Sequence, residues 1–127
     1  YIEECCNSYL AILHDSTITI KDKIDALFTS IGDEHSNMQY YDFFHRVENE
    51  ELHEQLSIKL CKYMYPHLLE AVKKAIAAKE IYIENPEALI SFIIYGQVGL
   101  LSKSNIDHHE VAKLLNQYVN QLMKFNP

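Results

Sequence analysis

The sequence predicts an all-α protein, a bundle of six helices. Three observations point there. Apolar residues recur at i, i+3, i+4 and i+7 along most of the chain. Residues with capping chemistry stand just ahead of these apolar series. Only 3 Gly and 3 Pro occur in 127 residues, too few turn formers for a many-stranded sandwich.

The first helix, about 2–14, carries Ile2, Cys5, Tyr9, Ile12 and Leu13 at helical spacing. Thr19 and Asp22 open the second, about 19–31, as a cap and its N3 carboxylate. That helix buries Ile20, Ile24, Leu27, Phe28 and Ile31 and is expected to stop at Gly32. After the polar link DEHS, Ser36 and Gln39 form a capping box for a third helix over 37–48, bearing Met38, Tyr41, Phe44 and Val47.

Asn49 caps the fourth, with Glu50 and Glu51 at the positive end of its dipole. Its apolar series (Leu52, Leu56, Leu60, Tyr63, Met64, Leu68, Val72, Ile76) continues to about Lys79. Pro66 lies inside this long run and lacks a backbone N–H, which predicts a kink near Tyr63 or two abutting helices.

In the EIYIE linker Ile81 and Ile83 alternate with other residues like a strand, but no partner strand is visible and a lone strand is not stable. Asn85 and Pro86 then start the fifth helix, about 86–102, as cap and first helical residue. Asp107 and Glu110 open the sixth, about 108–125, with Val111, Leu114, Leu115, Tyr118, Leu122 and Phe125. No internal repeat or low-complexity tract is present.

The length fits one domain over 1–127. Acidic residues outnumber basic ones by 18 to 11, the net charge is −7, and Arg46 is the only arginine, so this chain alone is a poor binder of nucleic acid. Three cysteines, two of them the adjacent Cys5 and Cys6, make no disulfide framework and fit a reducing cytoplasm. The longest apolar stretch, 88–101, is broken by Ser91 and Gln97 and is short for a membrane span, so no membrane partner is expected. The chain starts at Tyr1 in mid-pattern, and the expectation is a piece of a longer protein.

The fifth helix is apolar on almost every face and needs cover on all sides. Ser91, Gly96 and Gly99 allow another helix to approach closely. The sixth helix has its own apolar seam, so the two helices with their symmetry mates predict a homodimer through an isologous four-helix interface.

No nucleophile elbow, glycine-rich phosphate loop or CxxC is present, and the cysteines lie on apolar helix faces, so no enzyme activity and no cofactor are expected. Glu50-x-x-His53 matches the Glu-x-x-His element of di-iron bundles, and the nearest second element is Asp42-x-x-His45. A carboxylate and histidine metal bundle is therefore an alternative reading, as is a helical adaptor without a ligand. The pair His108–His109 points its side chains about 100° apart and chelates poorly. Aromatic residues cluster in YYDFF and KYMYPH, and with hydroxyls and the imidazoles of His14, His45 and His67 they suit a pocket for a small, mostly apolar ligand.

The tracts PHLLEAVKKAIAAKE, IYIENPEALISFIIYGQVGLL and VAKLLNQYVNQLMKF, following YIEECCNSYLAIL and TIKDKIDALFTSI, resemble the C-terminal effector-binding and dimerisation domain of TetR-type transcriptional regulators. Lys79 departs from that pattern, where the family frequently has glycine. The resemblance implies a ligand-responsive regulatory domain, usually of a repressor, whose DNA contact comes only from an N-terminal helix-turn-helix absent from this chain. It implies a cavity for a small-molecule effector built by Tyr9, Leu13, Phe28, Tyr41, Phe44, Cys61, Tyr65, Leu68, Phe92 and Tyr95. It implies a dimer interface through Leu89, Ile93, Gly96, Leu100, Leu114, Tyr118 and Leu122. Effector binding would then shift the spacing of two DNA-reading heads.

Overall fold

A computed structural model describes residues 2–35, 50–101 and 107–124. These form five helices and no strand: α1 (Ile2–Leu13), α2 (Ile20–His35), α3 (Glu50–Ala77), α4 (Pro86–Leu101) and α5 (His108–Met123). The helix expected over 37–48, with its Ser36–Gln39 capping box, lies outside the described residues.

Each helix start whose cap is described is held by its own chemistry. The Asp22 N–H donates to Thr19 Oγ1 at 3.2 Å. The Ala88 N–H donates to Asn85 Oδ1 at 3.1 Å, with Pro86 as the first residue of α4. Asp107 accepts from the backbone N–H of both His109 and Glu110. Between α1 and α2 the chain turns on Asp15, which accepts the Thr17 N–H at 2.9 Å.

One helix boundary differs from expectation. α2 runs through Gly32 to His35. Glycine terminates a helix by adopting a left-handed conformation, and no glycine among the described residues has a positive φ. Of the two arrangements expected around Pro66, two abutting helices are not formed: α3 continues as one helix of 28 residues with Pro66 inside. Its missing N–H removes one intrahelical bond from a helix whose described side chains pack against α1 and α4.

The end of α3 is a left-handed cap of the Schellman type. Lys79 has φ 62°, the Glu80 N–H donates to Ala75 O at 2.9 Å, and the Lys79 N–H donates to Ile76 O at 3.1 Å. The linker then runs extended, so its side chains alternate: Ile81 is 1% exposed and Tyr82 is 75% exposed. This explains the strand-like pattern without any strand.

α2 packs along α5, α3 packs along α4, and α1 lies against both α2 and α3. Ile24, Leu27 and Phe28 of α2 meet Val72 and Ala75 of α3, Ile90 and Ile94 of α4, and Val111, Leu115, Val119 and Met123 of α5 in one core. No polar or charged side chain among the described residues is fully buried. At the edge of the α2–α5 contact, Asn120 Nδ2 donates to Asp25 Oδ1 at 3.3 Å and to Asn116 O at 2.7 Å. Among the described residues no helix is long and apolar enough to cross a membrane.

Candidate functional site

A cavity of about 150 Å³ lies at the meeting of all five described helices. α1 contributes Cys6, Tyr9 and Leu13, and α2 contributes Ile24, Leu27, Phe28 and Ile31. α3 lines it with Ser57, Leu60, Cys61, Met64 and Leu68, a single face at helical spacing. α4 adds Ile90, Ile93, Ile94, Gln97 and Val98, and Val119 and Met123 come from α5. Among the described residues the lining contains no Asp, Glu, Lys, Arg or His.

Of the residues expected at a pocket, Tyr9, Leu13, Phe28, Cys61 and Leu68 come together on this cavity. Tyr41 and Phe44 lie outside the described residues. Tyr65, Phe92 and Tyr95 do not line it. The Tyr65 hydroxyl instead donates to the Glu87 carbonyl at 3.2 Å, joining α3 to the first turn of α4, and Lys73 meets the Glu87 carboxylate at 3.0 Å beside it. Phe92 is 70% exposed and Tyr95 is 37% exposed.

The expected imidazoles are also elsewhere. His14 Nε2 and His67 Nδ1 approach to 3.3 Å with their rings edge to face. Each is the immediate neighbour of a cavity residue, Leu13 or Leu68, yet neither lines the cavity. The pair instead ties the end of α1 to α3 outside it, and His45 lies outside the described residues. The polar members of the lining that sequence reading did not assign to a pocket are Ser57, which stands beside an apolar series, and Gln97, which was read only as a break in one.

Cys61 shows what this interior does to an ionisable group. Its thiol donates to the Ile94 carbonyl at 3.5 Å, and burial pushes its pKa up to about 11. Burial thus favours the neutral thiol over the thiolate.

The interface residues divide. Gly96, Leu100, Leu114, Tyr118 and Leu122 face outward, whereas Leu89 and Ile93 are half-buried and Ile93 lines the cavity. The outward face of α4 is Phe92, Tyr95, Gly96, Gly99 and Leu100, and the cavity face is Ile90, Ile93, Ile94, Gln97 and Val98. Both repeat as i, i+3, i+4, i+7, i+8, so α4 carries two stripes at helical spacing, apolar apart from Gln97 on the cavity side. On α5, Leu114, Tyr118 and Leu122 form a second exposed stripe at four-residue spacing, and α5 touches α4.

For metal, the side chains of Glu50 and His53 and the whole of 42–45 lie outside the described residues. Among the described residues no group of three or more His, Cys, Asp or Glu converges on a point that could hold an ion.

No family model, curated protein or solved structure matches this chain.

Proposed function

We propose that this chain is the ligand-sensing and dimerising domain of a TetR-type transcriptional regulator acting as a repressor in the cytoplasm. The observation that carries the reading is the two-faced α4, with one apolar stripe on the cavity and the other on the surface. A monomer has no use for the second stripe. Large side chains exposed at this density mark a surface that another molecule covers. A second copy fits, because the stripes of α4 and α5 from each protomer form a self-complementary four-helix contact.

The cavity and the dimer face share α4, and the cavity shares α1 and α3. A ligand that prefers one packing of α1 against α3 shifts the equilibrium between arrangements of the dimer. In the family's layout DNA is read by a helix-turn-helix N-terminal to this domain. A shift of α1 would move two such heads relative to half-sites about one helical turn apart. A coupling of about 1–3 kcal/mol is enough for a useful switch.

The test is sedimentation of Gly99→Glu. A Cβ at Gly99 meets nothing within 4 Å, so the substitution fits the protomer and charges only the outward face. The expected result is a dimer for the parent chain and a monomer for the variant. An unchanged dimer mass would remove this face from the interface.

A further inference from the structure

The cavity has one polar end. Cys61 meets Ile94 directly, while Tyr65 and Lys73 both meet Glu87, so α3 and α4 run antiparallel with residue 61 level with 94. One turn from that contact toward the start of α3 is Ser57. One turn from it toward the end of α4 is Gln97. Both line the cavity, and the antiparallel register puts them at the same level. Among the described residues neither side chain has another hydrogen-bond partner. From Cys61 toward Leu68 every α3 lining residue is apolar, and Leu13 joins them from α1.

We propose that the cavity takes an uncharged amphiphile of about one aromatic ring's size, its hydroxyl or amide between Ser57 and Gln97 and its apolar body toward Leu13 and Leu68. This deepens the ligand-sensing reading and rests on it. Size follows from the volume: a dry apolar cavity of ~150 Å³ accommodates benzene. Neutrality follows from the lining. Among the described residues an ion buried there would lose its hydration and find no opposite charge, because Ser57 and Gln97 offer dipoles only. Polarity follows from the amide and hydroxyl, which both donate and accept and would be left unpaired by a wholly apolar occupant.

Four probes of matched shape test this on the whole chain by NMR titration: benzyl alcohol, toluene, benzoate and benzylammonium. Benzyl alcohol is expected to bind at least about tenfold more tightly than either charged probe, since burying an unpaired charge costs far more than burying a hydroxyl that finds partners. In the double variant Ser57→Ala, Gln97→Leu, the preference for benzyl alcohol over toluene is expected to fall about tenfold, as the loss of a paired buried hydroxyl requires. Toluene binding is retained in that variant and reports that the fold survives. Benzoate or benzylammonium binding as well as benzyl alcohol overturns the proposed ligand class while leaving the cavity as a binding site. An unchanged alcohol-to-toluene ratio overturns the role of Ser57 and Gln97. Binding of none of the four removes the ligand-sensing reading and this inference with it.

Discussion

The Glu80 carboxylate accepts the backbone N–H of Ile20 at 2.9 Å, so α2 is capped by a residue 60 positions downstream. Together with Thr19, which accepts from Asp22, it satisfies two of the N-terminal donors that a helix leaves unpaired. Replacing Glu80 by Ala is expected to cost about 1 kcal/mol in urea unfolding, the usual value of an N-terminal cap. Glu80→Gln keeps an acceptor oxygen and should lose less. Equal losses in the two variants would mean that the charge, not the cap, matters.

Lys79 sits at φ 62° in the left-handed position that closes α3. Glycine pays no Cβ penalty there. Lys79→Gly should therefore raise the stability of the chain by about 1 kcal/mol, seen as a higher melting temperature. A lower melting temperature would show that contacts of the lysine stem outweigh the backbone strain.

Asp25 adds an acid-sensitive contribution to the stability of the fold. Burial alone would raise its pKa, but hydrogen bonds from Lys21, Asn116 and Asn120 outweigh burial and hold the carboxyl below its ordinary value. A carboxyl depressed in the folded state stabilises it above the unfolded pKa, and that contribution is lost as pH falls through the folded one. Stability measured from pH 7 to pH 3 should decline in the parent chain and decline less in Asp25→Asn. The side chain is partly solvated, so the difference is a fraction of the whole acid response. Parallel pH profiles for the two proteins would exclude this role.

The two phenylalanines of opposite exposure separate folding from association. Phe28 is 7% exposed and lines the cavity, so Phe28→Ala should cost about 3 kcal/mol or more in unfolding. Phe92 is 70% exposed, so Phe92→Ala should leave protomer stability within about 0.5 kcal/mol, as surface substitutions do. The same substitution should weaken self-association, read as a rise in the dimer dissociation constant by sedimentation. A Phe92→Ala chain that unfolds easily but pairs normally would reverse the two assignments.

Much of the secondary structure was legible because its causes are local. The starts at Thr19, Asn85 and Asp107 depend on a side-chain oxygen within three residues of an unpaired N–H, and such neighbours are visible in the chain. The end at Gly32 was misread because glycine permits a stop without requiring one. The five expected pocket residues that come together on the cavity share a different cause. Tyr9, Leu13, Phe28, Cys61 and Leu68 lie on helices with one apolar stripe, where the inward face is unambiguous.

Phe92 and Tyr95, expected at the pocket, face outward, and Ile93, expected at the interface, lines the cavity; all three lie on the segment 86–101, which is apolar on almost every face. Hydrophobic period carries no phase on such a helix, and a rotation of one residue, about 100°, exchanges a cavity residue for a surface one. The phase is set by contacts between helices, among them the Cys61 thiol on the Ile94 carbonyl and Tyr65 on Glu87.

Helical content and capped starts can thus be read from neighbours in the chain, because each depends on groups a few residues apart, and the sign of the charge follows from composition alone. The direction of each stripe of α4, the meeting of His14 with His67, the cap from Glu80 and the polar end at Ser57 and Gln97 arise only when the helices pack. They join residues roughly 30 to 60 positions apart, and no local rule of spacing or propensity reaches that far.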